Sequence, residues 1–177
     1  MSPIAQAVEP LRQDATASAT EYAHKLASTM VANIERAGWD INVAYPHPRG
    51  TLGRAEYKRA AMLRRLAQRF TTTDEVKHPV CRRLSDPHYV VLNQAGIDRY
   101  VEEARQDASA QYDLFIAKLE EKVGEHSAAT LNGNHVWGHS ILTVTTPAGV
   151  QRWKTQQIIN TSSLGTVFNQ WPTRLVK

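Results

Sequence analysis

The chain reads as an α+β protein, with three helices, the third one long, followed by a small C-terminal antiparallel β-sheet. Three observations predict this. Apolar residues recur at helical spacing in three stretches before residue 127. Beyond residue 128 the chain turns rich in Val, Ile, Thr and Trp, broken by turn signals. The 177 residues are 42% hydrophobic and 21% charged, the balance of a chain that buries a core. The expected organisation is a mainly helical region over 1–127 and a basic, hairpin-containing region over 128–177 packed on the helices.

A first amphipathic helix is predicted over 16–37, where Tyr22, Leu26, Met30, Val31 and Ile34 are spaced for one face and Gly38 is the stop. The following stretch, 39–50, contains Pro46, Pro48 and Gly50, so a loop with at most a short strand is expected. Thr51 is the expected cap of a second helix, from about Gly53 to Phe70, with Leu63, Leu66 and Phe70 projecting together beside Met62. At 100° per residue Arg54, Lys58, Arg65 and Arg69 fall within about 60° of one another on a different face, a basic stripe. Residues 71–92 read as a loop ending in a short extended segment, Tyr89 to Leu92.

The third helix is predicted from Asn93 to Val123, roughly 45 Å at 1.5 Å per residue. A helix of that length needs a matching apolar surface. Either another helix of the chain supplies it in an antiparallel hairpin, or a second copy does. Ile97, Val101, Ala104, Ala108, Phe115 and Leu119 are the residues expected to hold such an oligomer.

After Gly124 the period changes. If residues 146–149, around Pro147-Ala148-Gly149, turn a hairpin, Leu142 opposes Trp153 and Val136 opposes Ile159 on a core face. Ile141 then opposes Lys154, and Thr143 opposes Arg152, on a polar and basic face. Asn132-Gly133 is expected to turn a further short strand, Ala128 to Leu131, into this sheet. Trp171 to Lys177 is expected to end extended.

Charge is segregated. Lys plus Arg against Asp plus Glu number 9 and 4 over 51–92, 4 and 8 over 93–127, and 4 and 0 over 128–177. A net charge of +4 distributed this way favours anionic partners. Cys81 is the only cysteine, which excludes an intramolecular disulfide and a secreted, disulfide-stapled scaffold. Met1-Ser2-Pro3-Ile4-Ala5 is not a basic region leading into an apolar one. No stretch approaches the roughly 20 apolar residues of a membrane span, so a cytoplasmic protein without membrane contact is expected.

Enzyme chemistry finds no complete constellation. His78, Cys81 and His88 lie close in sequence and His135 and His139 would share a strand face, yet the sequence has no CxxC pair and no HExxH. Arg82-Arg83 beside Cys81 favour a thiolate, but nothing fixes a base next to it. Asp74-Glu75-Val76-Lys77 holds a Glu-x-Lys fragment of the kind metal-dependent nucleases use, without a partner aspartate on an upstream strand. Gly50-Thr51-Leu52-Gly53-Arg54 lacks the Lys-Thr of a phosphate loop. No catalytic residue, metal or cofactor is expected.

Binding is better supported, because two segments agree. The second helix offers Arg54, Lys58, Arg65 and Arg69, and the hairpin offers Arg152 and Lys154 beside Trp137, His139 and Gln156. Cations neutralise phosphates and aromatic rings stack on bases. In the C-terminal quarter, Ser140-Ile141-Leu142-Thr143-Val144, Arg152-Trp153-Lys154-Thr155-Gln156 and Phe168-Asn169-Gln170-Trp171-Pro172-Thr173-Arg174 resemble a block shared by uncharacterised bacteriophage and prophage proteins. The resemblance spans roughly 136–177 and implies a mobile-element setting, with no residue roles attached. The expected function is therefore that of a non-enzymatic phage or mobile-element accessory protein. It would bind nucleic acid or a host nucleoprotein complex, inhibition of host defence included. A self-assembling scaffold organised by the long helix is the first alternative, and a hydrolase or nuclease without recognisable motifs the second.

Overall fold

The computed structural model describes residues 1–73, 90–134, 139–160 and 167–176, with side chains up to 154 except those of 73, 134, 139 and 140. Four helices and six strands occupy them, a mixed helix and sheet architecture with one long helix late in the chain and an antiparallel sheet after it. The chain forms two compact units, one of Met1–Glu21 with Glu103–Lys177, the other of Tyr22–Glu102. The sheet shares a core with the helical segments of the first unit.

Helix α1 runs Pro3–Arg36 and so begins at Pro3 rather than near residue 16. Its start is well signalled locally. Ser2 is the cap, its Oγ accepting from the Ala5 N–H at 3.1 Å, and Pro3 takes the first helical position, where a missing N–H costs nothing. Its buried stripe is Ile4, Val8, Leu11, Ala15, Ala19, Ala23, Ala27, Met30 and Ile34, so alanine fills the middle. The end is at Gly38, as expected: Gly38 has φ 68°, the Trp39 N–H bonds the Ile34 carbonyl at 2.9 Å and the Gly38 N–H bonds that of Glu35 at 2.9 Å. Trp39 itself has φ 62°.

In the first unit, α1 and α4 (Gln94–Val123) run antiparallel, with Ser2 donating to Glu120 and Arg12 pairing with Asp113 at 3.6 Å. Ile4, Val8, Leu11, Ala15 and Ala19 of α1 meet Ala108, Tyr112, Phe115, Leu119 and Val123 of α4 in one core, closed by Leu142 and Val144 from the sheet. Tyr112 and Phe115 pack edge to face at 6.0 Å. The sheet has the order β3-β4-β5-β6: β3 Ala128–Asn134, β4 His139–Thr146, β5 Gly149–Asn160 and β6 Val167–Val176.

The β4–β5 register is the one the turn predicts, with Leu142 opposite Trp153, Ile141 opposite Lys154 and Thr143 opposite Arg152. Thr146 pairs with Gly149 across the turn, and its Oγ donates to the Gly149 carbonyl at 2.8 Å. Val136 lies outside the described residues. The expectation of a turn at Asn132-Gly133 is corrected: β3 passes straight through both, Asn132 pairing with Ile141 and Gly133 with Ser140. Alternation with an apolar inner side outweighed the dipeptide's preference for a turn. Strand β6 is longer than the extended tail expected, and a register shift between Lys154 and Thr155 accommodates it where Pro172 sits.

The second unit holds the remainder of α1, the start of α4, and between them α2 (Ile41–Ala44), α3 (Arg54–Phe70), β1 (Thr71–Thr73) and β2 (Val90–Leu92). A short strand in 39–50 is replaced by the single turn α2, because the Asp40 carboxylate accepts from the Asn42 N–H at 2.8 Å and caps a helix there. The cap of α3 is Gly53, not Thr51, with the Glu56 carboxylate reaching back to the Gly53 N–H at 3.4 Å. Strands β1 and β2 pair antiparallel, Thr71 with Leu92. Helix α4 opens at Asn93 as predicted, whose Oδ1 accepts from the Gly96 N–H at 3.1 Å. Its N–H bonds the Phe70 carbonyl at 2.7 Å, so the end of α3 and the start of α4 are tied together.

Candidate functional site

Helix α3 is amphipathic only in its second half. Arg64, Leu66, Ala67 and Phe70 are buried, whereas every residue from Arg54 to Arg59 is exposed, so the first turns project into solvent. Of the predicted stripe, Arg54, Lys58 and Arg65 are exposed. Arg69 is half-buried, its guanidinium 5.9 Å from the centroid of Tyr100, a cation held against an aromatic face. Tyr100 in turn meets Phe70 edge-on at 5.2 Å.

Two residues of this helix escape a reading by charge alone. Tyr57, 43% exposed, lies about 60° from Arg54 on the side away from Lys58, so an aromatic ring flanks the cations. Arg59 adds a further exposed cation. The available signal was the run Arg54-Ala55-Glu56-Tyr57-Lys58-Arg59, whose apolar content is too low to bury any face. Cations at a helix N-terminus oppose the macrodipole and cost stability there. Of these cations Arg54 lies in the first turn, together with Glu56, whose carboxylate suits the dipole.

Arg64 is different in kind. It is buried, donating from Nη1 to the Tyr45 carbonyl at 2.6 Å and from Nη2 to Asn42 Oδ1 at 2.9 Å, and so fastens α2 to α3.

The second predicted surface is the outer face of the sheet. Arg152 and Lys154 are exposed and alternate along β5 with half-buried Gln151 and Trp153, whose Nε1 donates to Gln151 Oε1 at 3.1 Å. Thr143 and Ile141, their cross-strand neighbours, are half-buried. On the other side of β5, Arg174 is the register partner of Lys154. His139 and Gln156 are partners in the β4–β5 ladder, and Trp137 lies outside the described residues. The two cationic surfaces belong to different units.

The stripe expected to hold an oligomer is differently employed. Ile97, Val101, Ala108, Phe115 and Leu119 are buried and Ala104 half-buried within a single chain, and α1 with the sheet covers Ala108, Phe115 and Leu119. Along Ala108, Phe115 and Leu119 the place expected for a second copy is filled by the chain's own α1 and sheet.

Asp74 to Lys77, His78, Cys81, His88 and His135 lie outside the described residues. Among the described residues no three His, Cys, Asp or Glu side chains are grouped to hold a metal, and no helix is long and apolar enough to cross a membrane. A shallow groove of about 250 Å³ runs between Glu9, Arg12, Asp113 and Glu120, with Arg12 bridging Glu9 at 3.7 Å and Asp113 at 3.6 Å. No family model matches the chain, and neither curated proteins nor solved structures give a match.

Proposed function

We propose that the protein is a non-enzymatic nucleic-acid-binding protein that reads a polyanion with the projecting turns of α3. A phage or mobile-element accessory role, inhibition of host defence included, belongs to the same proposal and rests on the block at 136–177. The observation that carries the reading is the exposure of every residue from Arg54 to Arg59, which leaves the cations Arg54 and Lys58 and the nearby ring of Tyr57 open to a partner. Cations there meet phosphates, and the ring stacks on an unpaired base. Arg65, about two turns beyond Lys58, extends the track, and Arg152 and Lys154 give a second cationic surface on the sheet.

Fluorescence anisotropy with single-stranded and duplex oligonucleotides tests this. Arg54→Glu with Lys58→Glu is expected to weaken binding by about tenfold or more, as the loss of two charge-assisted phosphate contacts implies. Thermal stability is expected to hold or rise, because an acidic side chain in the first turn suits the dipole by about 0.3–1 kcal/mol. Tyr57→Ala is expected to cost roughly 1–3 kcal/mol on single strands and little on duplex. Unchanged affinity in both variants would reduce the stripe to a solvated face and remove the reading.

A further inference from the structure

We infer that the protein self-associates through β3, two copies pairing this strand antiparallel about Leu131 so that their sheets become one. The sheet has two edges, β3 and β6. Strand β6 contains Pro172 beside a register shift, the devices by which an edge is blunted against further pairing. Strand β3 has neither. Its seven residues, Ala128-Ala129-Thr130-Leu131-Asn132-Gly133-Asn134, keep an unbroken register with β4 and carry no charge. The whole sequence from His126 to Gln151 lacks Lys, Arg, Asp and Glu. Among the described residues no strand lies on the far side of β3, and Ala128, Thr130 and Asn132 are exposed.

Charge and pattern select a second copy as the occupant. An acidic or basic peptide finds no complementary charge on this strand, whereas the strand is complementary to itself. Antiparallel pairing about Leu131 sets Leu131 against Leu131 and Ala129 against Gly133 on the core side, and Thr130 against Asn132 and Ala128 against Asn134 on the outer side. Apolar thus meets apolar, hydroxyl meets amide, and no like charges oppose. The contact is isologous and closes with two copies. Its axis keeps the two outer faces on one side, so Arg152 and Lys154 of both copies share a single surface. This route to an oligomer leaves the buried stripe of α4 untouched.

Analytical ultracentrifugation of the full chain across the micromolar range is the test. The expected result is a concentration-dependent dimer, weakened by about tenfold or more in the double variant Thr130→Lys/Asn132→Lys, which sets lysine against lysine across the two-fold axis. Mixing that variant with Thr130→Glu/Asn132→Glu is expected to restore dimers. Hydrogen exchange on the unsubstituted protein gives a mutation-free check: backbone protection across Ala128–Asn134 is expected to rise with concentration. A monomer throughout, a dimer indifferent to both double variants, or strand protection independent of concentration would overturn the proposal.

Discussion

Arg64 shows how much one side chain decides at the residue scale. The residue is 8% exposed and its hydrogen-bond partners are neutral, the Tyr45 carbonyl and Asn42 Oδ1. Truncation leaves two acceptors without their donor, each costing about 1–3 kcal/mol. Arg64→Ala is therefore expected to lower the unfolding free energy by about 3 kcal/mol, read as a shift in the urea midpoint. Arg64→Lys should recover little, since a lysine has no planar fork to serve both acceptors. The two buried tyrosines make a second residue-scale case. Burial pushes the Tyr100 phenol up to about 12, Tyr22 adding to the rise and Arg69 opposing it. Burial also raises Tyr112, with Asp14 adding, and its hydroxyl has no hydrogen-bond partner among the described residues. The folded protein therefore keeps phenolic protons that the unfolded chain releases near pH 10, an unfolded tyrosine having a pKa of about 10. This stability is complete below about pH 10 and is lost as pH rises through about 12. Melting temperatures are expected to fall across that window in the wild type and to fall less in Tyr100→Phe/Tyr112→Phe. At neutral pH Tyr112→Phe should match or exceed the wild type, because it removes a buried hydroxyl that gains nothing. A parallel decline in both proteins would assign alkaline unfolding to other groups.

At the scale of elements, some signals were strong enough to read from the chain and others were not. The β4–β5 hairpin was legible to the residue because the short turn at Pro147-Ala148 leaves one register that places Leu142 and Trp153 on the same side. Helix α4 was legible at both ends, Asn93 supplying the cap and Val123 the last apolar contact before Gly124, whose φ is 75°. The first half of α1 was not. Its buried residues Ile4, Val8 and Leu11 are separated from the large apolar residues of the second half, Met30 and Ile34, by a stretch of buried alanines, Ala15, Ala19, Ala23 and Ala27, which stand out little from their neighbours in hydropathy. The Ser2-Pro3 start signal was present in the sequence and outlasted Pro10, which sits at an exposed position inside the helix. Strand β3 was half legible, since Asn-Gly also suits a turn. The junction of α3 with α4 yields a prediction of its own. Gly96 lies in the first turn of α4, where a Cβ would stand 2.0 Å from the Arg69 carbonyl oxygen. Helix propensity alone would make Gly96→Ala a gain of about 1 kcal/mol. The clash lies with backbone, which cannot rotate away, so the variant is expected to lose about 1–3 kcal/mol instead. Thermal denaturation decides the sign, and a stabilised variant would show that the two helices are less closely joined.

For the whole molecule, the distribution of charge is the most informative property of the sequence, and it located the cationic surfaces better than it named their members. Arg54, Lys58, Arg65, Arg152 and Lys154 are exposed as their spacing required. Arg69 belongs with Tyr100, and Tyr57 joins the surface because nothing among the described residues packs on the first turns of α3. Periodicity alone cannot show that, because it gives the direction of a face and not whether anything covers it. The two surfaces lie in different units, and under the proposed function a salt titration of variants in each tests that surface's contribution. On duplex DNA each phosphate contact contributes about 0.9 to the slope of log affinity against log salt. Arg54→Ala/Arg65→Ala is expected to lower that slope by about 2, and Arg152→Ala/Lys154→Ala by a similar amount if the sheet also meets the backbone. If the two surfaces act independently, the quadruple variant should show the sum of the two changes. A slope that falls only with the α3 pair would confine the interface to the helix. One that responds to neither would mean that counterion release from these cations plays no part, and the nucleic-acid reading would fall with it.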